Sequence, residues 1–329
     1  VYGETDADTV FGMIYAQAED DFPRVERNYI WAIGRLAEVE GEDALFSDLR
    51  ARLYMTEAEA RAAYGAAPAW LRDLCDAWAD GLNWYLASHP DITPSLIEHF
   101  EPWMPMYFFE GSIGGDIEQI QLEGIREFYG AGIDRTESLP GPEITANPWQ
   151  ANPIVATRDL LEFREPAGSN GFAIAPERSA SGNALLLINP HTSFYFRGEM
   201  HMVSEEGLNA YGAVTWGQFF VYQGFNEDTG WMHTSTYADF MDEFVEDVVR
   251  TETGLHYRYG EEVRPLEVSE IVLRYRDGDD VSTRTFPSYR THHGPITHLD
   301  GGRWVATKIN WDPVNALSQS YLRMKNADY

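Results

Sequence analysis

A serine that directly follows a glycine, Gly168-Ser169, is the strongest candidate in this sequence for covalent chemistry. The preceding residues 162–167 are charged and irregular, whereas 172–176 are typical of a short strand. A serine hydroxyl can attack the carbonyl of the preceding residue and split the chain, which would make Ser169 a new N-terminal residue. Such a residue carries a nucleophilic hydroxyl together with its own basic amine. The pattern is compatible with self-cleavage at Gly168-Ser169 and an N-terminal serine nucleophile, although a Gly-Ser dipeptide taken alone is more often a flexible turn.

The elements that must position this junction fall into two blocks. Residues 1–135 carry apolar side chains at intervals of three and four, which is typical of amphipathic helices. Residues 169–329 show short apolar runs separated by turn residues, which is typical of a sheet. Residues 136–168 lose both periods and contain recurring prolines, so they are predicted to be a linker or an excisable spacer. The chain is predicted to be α+β, with a helical part followed by a sheet-rich part.

Local signals refine these two blocks. Thr56 with Glu59 fits a capping box, Pro68 is suited to opening a helix, and His89-Pro90 is suited to ending it. Helices are predicted from a cap at Asp6, over 29–38, after Thr56, from Pro68 to Tyr85 and over 117–129. Strands are predicted at 172–176, 184–188, 199–204, 208–215, 219–225, 231–237, 243–250, 267–275, 282–286 and 304–310.

Acidic residues dominate the charge of the chain. Its 53 acidic and 24 basic residues leave a formal net charge of -29. Because this field repels phosphate-rich polyanions and anionic lipid, neither nucleic acid nor a membrane surface is expected as a partner. No apolar run approaches the roughly 20 residues of a membrane span.

The single cysteine and the first residue add two further expectations. Cys75 excludes an intramolecular disulfide and a cysteine-based zinc site, and its apolar helical surroundings predict a buried structural thiol. No signal peptide is visible, and Val1 opens in what reads as the middle of an element. The chain is therefore expected to be a fragment whose start is missing.

A longer stretch around the Gly-Ser junction resembles a known family. Residues 169–182, followed by 186–191, are similar to the start of the β-subunit in the penicillin acylase family. The similarity is closest to members that cleave acyl-homoserine lactones or the acyl chains of lipopeptides. Residues 7–38, 231–235 and 293–296 are similar to further segments of this family. The resemblance implies an N-terminal-nucleophile hydrolase with a four-layer αββα sandwich, incomplete here because the family's β-subunit continues past residue 329.

The resemblance also implies roles for individual residues. Ser169 would be the nucleophile after cleavage, with its own α-amine as the base. His191 stands where acyl-homoserine-lactone acylases carry histidine and penicillin G acylases carry glutamine, so it is expected to relay or fix the proton at the Ser169 amine. Asn170 is expected either to support the site by hydrogen bonding or to serve as a structural turn residue. Ser235 falls where the family uses a backbone N–H in the oxyanion hole. The family's second oxyanion donor, a distant asparagine, has no counterpart in this chain.

A calcium site is implied by the same resemblance. Asp239 and Asp242, with the Met241 carbonyl between them, match the ligand spacing of penicillin acylases, and Glu118 is the candidate from the helical part. Carboxylate and carbonyl oxygens suit a hard cation, although solvated carboxylates at a strand edge are the alternative. No organic cofactor is expected.

Four aromatic residues are candidates for an acyl-binding pocket, with ordinary core packing as the alternative. They are Phe194, Tyr195, Phe219 and Phe220.

These residues together predict an amide hydrolase that removes the acyl chain from an N-acylated small molecule. The substrate classes are an acyl-homoserine lactone, an acylated peptide or a β-lactam, and the expected partner is the remainder of its own β-subunit. Because the family is usually exported, a periplasmic or secreted location is expected.

Two alternatives remain open at this point. One is a metal-dependent hydrolase that uses histidine and aspartate ligands, although the histidines lack the spacing of a helical metal site. The other is an inactive or precursor-like fragment that binds ligands without turning them over. The histidines in question are His201, His233, His292, His293 and His298.

Overall fold

The computed structural model describes residues 1–107, 117–130, 139, 169–191, 197–234, 241–310 and 312–326. Within these ranges helices lie mainly before residue 130 and strands mainly after residue 169, so the α+β class is confirmed. The boundaries of the 136–168 spacer fall largely outside the described residues and stay predictions. The helices are α1 (Asp6–Ala32), α2 (Ala37–Glu40), α3 (Leu45–Tyr54), α4 (Glu57–Ala66), α5 (Ala69–Ser88), α6 (Leu122–Tyr129) and α7 (Pro313–Asn326).

Helix starts follow the local signals closely. The capping box of Thr56 and Glu59 is formed at the start of α4, and Pro68 stands at the N-cap of α5. The cap of α1 is Thr5, one residue before the predicted Asp6, and Thr5 forms its own capping box with Asp8. These starts depend on contacts three residues apart, which is why the sequence alone predicts them.

The helix predicted over 29–38 is wrong. The first helix continues to Ala32, and Gly34 then adopts a φ of 66°, a left-handed conformation that favours glycine. Behind this turn the buried carboxylate of Asp48 accepts hydrogen bonds from the backbone N–H groups of Leu36 and Ala37, both at 2.7 Å. A side chain from α3 therefore fixes the break and starts α2.

The strands of the described ranges are β1 (Tyr2–Gly3), β2 (Ser169–Ile174), β3 (Leu185–Pro190), β4 (Arg197–Ser204), β5 (Asn209–Thr215), β6 (Gln223–Phe225), β7 (Gly230–Trp231), β8 (Met241–Thr251), β9 (Gly254–Tyr259), β10 (Glu262–Pro265), β11 (Glu267–Asp277), β12 (Asp280–Thr291), β13 (Gly294–Asp300) and β14 (Arg303–Ile309). These described strands form three sheets. A two-stranded sheet is the hairpin β2–β3, and a five-stranded sheet has the order β1-β4-β5-β6-β7. A seven-stranded sheet has the order β10-β9-β8-β14-β13-β12-β11.

Three strands and one helix of the second block were not predicted, and two predicted strands are shorter than expected. The unpredicted elements in the described part are β9, β10, β13 and α7. Only 223–225 of the predicted 219–225 is strand, and 230–231 is the strand described near the predicted 231–237.

Helices α1 and α5 pack together, and α1 contacts strands β1 and β4 of the five-stranded sheet. Four side chains of the two helices form hydrogen bonds with the loop that follows β5. The carbonyl of Gly217 accepts hydrogen bonds from the hydroxyl of Tyr29 and from Nε1 of Trp78, both at 2.9 Å. Gln17 accepts from the Gly217 N–H and donates to the Gln218 carbonyl, both at 2.8 Å. The fourth side chain, Asn28, donates from its amide to the Trp216 carbonyl at 2.9 Å.

Helix α7 returns to the start of the chain. Lys325 Nζ lies 2.6 Å from a carboxylate oxygen of Asp6, whose other oxygen accepts from the Ser204 hydroxyl at 2.6 Å. Asp6 is buried, so the ion pair and the hydrogen bond balance its charge. Cys75 is buried in α5 as predicted. None of the helices in the described part is long and apolar enough to span a bilayer.

Candidate active site

Ser169 is the first residue of hairpin β2–β3. It lies opposite Pro190 in the ladder, and Asn170 lies opposite Asn189. The predicted strand at 172–176 therefore begins three residues earlier than expected, so that the candidate nucleophile belongs to the strand itself. Pairing with β3 fixes the position of Ser169 relative to residue 191, which follows directly on β3.

Asn170 holds His191 across the open end of this hairpin. The Asn170 amide nitrogen lies 2.9 Å from His191 Nε2. An amide nitrogen can only donate, so in this arrangement Nε2 accepts and the proton of the neutral ring sits on Nδ1. Asn170 thus sets the tautomer and the orientation of the half-buried His191 ring.

A residue not singled out from the sequence, Thr234, contacts both backbone polar groups of Ser169. The Ser169 N–H donates to Thr234 Oγ1 at 3.0 Å. The same hydroxyl donates to the Ser169 carbonyl at 3.0 Å. Because 65 residues separate the partners, no local spacing in the sequence could have indicated this pair.

Two glycines allow the hairpin to lie close to the segment that ends in Thr234. A Cβ on Gly171 would stand 2.7 Å from Met232 Sδ, which is closer than real contacts allow. A Cβ on Gly230 would stand 2.5 Å from a terminal carbon of Leu186. A side chain from each segment therefore occupies the space that a glycine leaves in the other.

The segment 231–234 is also fixed from the five-stranded sheet. Gln223 Nε2 donates to the His233 carbonyl at 2.8 Å. The His233 ring stacks on Tyr222 with centroids 4.4 Å apart. Residues 232 and 233 are thus held on two sides, and Thr234 follows them directly.

The other residues implied for catalysis or acyl binding are only partly within the described ranges. Phe219 and Phe220 are buried in the core, with Phe219 6.4 Å from the ring of Tyr321 in α7. Their role in an acyl pocket stays a prediction. Gly168, Ser235, Phe194 and Tyr195 lie outside the described residues.

The calcium candidates are likewise divided. Met241 and Asp242 open strand β8, and the Asp242 carboxylate is exposed, with Lys308 opposite it in the ladder. One exposed carboxylate next to a backbone carbonyl fits the oxygen chemistry of a hard cation. Asp239 and the side chain of Glu118 lie outside the described residues.

The histidines that could suggest a transition-metal site have separate partners. His201 contacts Asn209 at 2.9 Å, and His293 contacts the buried Glu246 at 2.8 Å. His292 lies 2.9 Å from the Tyr257 hydroxyl, and desolvation together with His293 lowers its pKa. Across the described ranges, no three histidine, cysteine or acidic side chains come together as metal ligands. The metal-dependent alternative therefore has no ligand cluster in that part of the chain.

Comparison with known proteins decides the family. The sequence profile described as penicillin amidase matches residues 1–329. The chain belongs to the penicillin amidase family. The resemblance seen around Ser169 is therefore confirmed at the level of the whole chain.

Individual relatives are distant and longer. Penicillin acylase 2 proenzyme of Pseudomonas sp. (strain SE83) is 26% identical over 89% of this chain and 41% of its own length. Acyl-homoserine lactone acylase QuiP of Pseudomonas fluorescens (strain Pf-5) is 23% identical over 88% of this chain and 38% of its own length. Acyl-homoserine lactone acylase PvdQ of Pseudomonas fluorescens (strain Pf0-1) is 26% identical over 97% and 41%, respectively. The chain thus spans about two fifths of the length of these relatives.

A solved structure of thermostable penicillin G acylase from Alcaligenes faecalis is similar over 48% of this chain and 29% of its own, with 21% identity and a TM-score of 0.42.

Proposed function

We propose that this protein is an amide hydrolase that uses Ser169 as an N-terminal nucleophile after self-cleavage at Gly168-Ser169. One observation carries the proposal: Ser169 opens a strand whose partner leads directly into His191, in a chain of the penicillin amidase family. Thr234 forms hydrogen bonds with both the N–H and the carbonyl of Ser169, and Asn170 orients His191. A nucleophile fixed in this way suits acyl transfer, in which positioning supplies much of the rate.

Self-cleavage would proceed in two steps. In the first, Ser169 Oγ attacks the Gly168 carbonyl carbon, the C–N bond breaks, and the hydroxyl proton passes to the Ser169 nitrogen. In the second, water hydrolyses the resulting ester, which leaves a carboxylate on Gly168 and restores the Ser169 hydroxyl. The products are two chains and a free α-amine on Ser169.

The freed amine would then serve as the base for turnover. An unperturbed α-amine has a pKa of about 7.7–8.0, so a substantial share is neutral near pH 7.5. It takes the proton as Oγ attacks the substrate amide, the acyl group passes to Oγ, and the proton goes to the leaving amine. Water then releases the carboxylic acid. His191 would relay or fix the proton at the Ser169 amine. The backbone N–H of Ser235, which follows Thr234 in the sequence, would be an oxyanion donor.

The proposed substrate is an N-acylated small molecule, with an acyl-homoserine lactone or an acylated peptide ahead of a β-lactam. The names of the relatives support these classes, since they include acyl-homoserine lactone acylases and a penicillin acylase. We further propose the remainder of a β-subunit as the partner and a periplasmic or secreted location. The exposed apolar face of β2–β3, with Phe172 62% and Leu187 53% exposed, supports such a partner.

Intact mass and N-terminal sequencing of the purified full-length protein test the cleavage step. We expect a fragment that begins at Ser169 in the wild type and none in Ser169→Ala. Ser181→Ala, in the loop of the same hairpin, is the matched control and should be cut normally. A wild-type chain that stays intact would instead favour the precursor-like, ligand-binding alternative. In cut material, amine release from an N-acyl-homoserine lactone compared with penicillin G ranks the substrates.

We also propose a structural calcium ion bound by Asp239, the Met241 carbonyl, Asp242 and Glu118. Such an ion binds only the folded state, so the thermal midpoint should rise as the free calcium concentration increases relative to the dissociation constant. We expect a rise of about 2–4 °C in saturating CaCl₂ relative to EDTA. The rise should be absent in Asp242→Asn and present in Asp247→Asn, an exposed carboxylate on the same strand. An equal response in both variants would remove Asp242 from the site.

A further inference from the structure

We infer that Thr234 is the positioning residue for the Ser169 amine, an inference that rests on the proposed function. Its hydroxyl contacts both the Ser169 N–H and the Ser169 carbonyl, each at 3.0 Å. The nitrogen of this pair is the atom that self-cleavage would convert from an amide to a base.

The hydrogen-bonding capacity of a threonine hydroxyl defines what Thr234 can do. A hydroxyl has a single proton, and in Thr234 that proton is directed at the Ser169 carbonyl. Towards the Ser169 nitrogen Thr234 is therefore an acceptor, both before and after cleavage. It holds one N–H of the amine and leaves the nitrogen lone pair available for the proton of the Ser169 hydroxyl.

Neighbouring contacts fix the backbone around Thr234. Its own side chain is at the surface, so it can be replaced without creating a cavity in the core. Met232 fills the space at Gly171, and Gln223 holds the His233 carbonyl at 2.8 Å. Thr234 itself is exposed. Replacing it should therefore change the placement of Ser169 and leave the fold intact.

Thr234 should also influence the charge of the freed amine. A hydrogen bond to a charged donor is stronger than one to a neutral donor, so an acceptor at this position favours the ammonium form. Valine at 234 would remove the acceptor and add apolar surface, and both changes lower the pKa of the amine. Serine would keep the acceptor. A residue with a purely structural role would not alter this pKa.

The contact can be measured without any cleavage. In a Ser169→Ala chain the backbone N–H of residue 169 remains and the chain stays intact. We expect Thr234→Val in this background to accelerate hydrogen exchange of the residue-169 amide about tenfold, measured by NMR. Thr234→Ser should exchange at the parent rate. An unchanged rate in Thr234→Val would overturn the inference.

The consequence for chemistry is measured in chains that retain Ser169. Timed intact-mass measurements should show cleavage slowed by about 10- to 100-fold in Thr234→Val and close to wild type in Thr234→Ser. In the cleaved product, a ¹⁵N-serine titration should place the pKa of the Ser169 amine lower by about half a unit in Thr234→Val. Thr285→Val, an exposed threonine in the seven-stranded sheet, is the matched control and should change neither quantity.

The outcomes separate the inference from the proposed function. A wild-type chain that remains uncut overturns the proposed function and this inference with it. A wild-type chain that is cut, with Thr234→Val cut equally fast, overturns the inference alone. Slow cleavage in Thr234→Ser as well as in Thr234→Val would also overturn it, because serine retains the acceptor.

Discussion

The loop 216–218 and the hairpin β2–β3 both contact the five-stranded sheet, yet they are held in opposite ways. Buried side chains of α1 and α5 hydrogen-bond the loop backbone, among them Gln17, which is 1% exposed, and Trp78, which is 0% exposed. The hairpin is held by the exposed Thr234 and by close packing at two glycines. Breaking a hydrogen bond between buried polar groups costs more free energy than breaking a contact at the surface.

If Ser169 is the nucleophile, as we propose, stability and chemistry reside in separate parts of the molecule. Changes at the helix–loop junction should unfold the protein without a specific effect on Ser169. Changes at the hairpin should alter cleavage with little effect on global stability. Four substitutions test this separation.

Trp78→Ala should have the largest effect. The substitution removes a hydrogen bond to Gly217 and the ring contacts with Tyr29 and Phe100, and it leaves a large cavity. We expect the free energy of unfolding to fall by about 4 kcal/mol, measured by urea denaturation. Trp84→Ala, on the same helix but 59% exposed, is the control and should change it by less than about 1 kcal/mol. Similar losses in both variants would contradict the proposed importance of the buried junction.

Asp48 should make the stability of the helical part depend on pH. Burial raises the pKa of this carboxyl from 3.8 to about 7, against the opposing effect of the hydrogen bonds from Ala37 and Leu36. Because the folded-state pKa lies above the unfolded one, the folded state binds more protons between these values, and stability falls as pH rises from about 4 to 7. We expect a loss of about 2 kcal/mol between pH 5 and pH 8.

The control for Asp48 is the exposed Asp43 at the start of the same region. Asp48→Asn should abolish most of the pH-dependent loss, and Asp43→Asn should retain it, in urea denaturation at both pH values. A loss that persists unchanged in Asp48→Asn would assign the pH dependence to other groups.

The sequence predicts features that depend on residues close in the chain and misses those that depend on distant ones. The capping box at Thr56 and the hairpin strands around Ser169 depend on residues close in the chain, and both were predicted. The break at Gly34 requires Asp48, which lies 12 residues beyond Leu36. The contact of Thr234 with Ser169 spans 65 residues.

Long-range polar pairs of this kind leave no period in the sequence, because neither partner needs a particular neighbour. Helix α7 was missed for a different reason. Its buried residues Leu317, Tyr321 and Met324 follow one another at intervals of four and three, so its sequence does carry a helical period that the prediction overlooked. The resemblance to the family supplied the candidates Ser169 and His191, but it could not supply the side chain that holds Ser169.

Gly171→Ala should affect cleavage more than stability. The new Cβ would meet Met232, whose flexible side chain can move but would then shift the segment that carries Thr234. We expect cleavage at Gly168-Ser169 to slow by about tenfold, measured by timed intact mass, since small misplacements of a nucleophile reduce rates strongly. Adding Met232→Ala should restore the rate. Gly65→Ala, with nothing within 4 Å of its new Cβ, should be cut at the wild-type rate.

Phe172→Gln should have the smallest effect of the four substitutions. Phe172 and its cross-strand neighbour Leu187 are both more than half exposed, so an amide at 172 loses little burial. We expect the free energy of unfolding to change by less than about 0.5 kcal/mol. Phe22→Gln, buried between Tyr85 and Phe100, should lower it by several kcal/mol because it places an amide in the core. A large loss in Phe172→Gln would mean that the hairpin face is covered in solution. Sedimentation velocity would then detect the association, since a chain that buries this face against a second copy must sediment as a larger species.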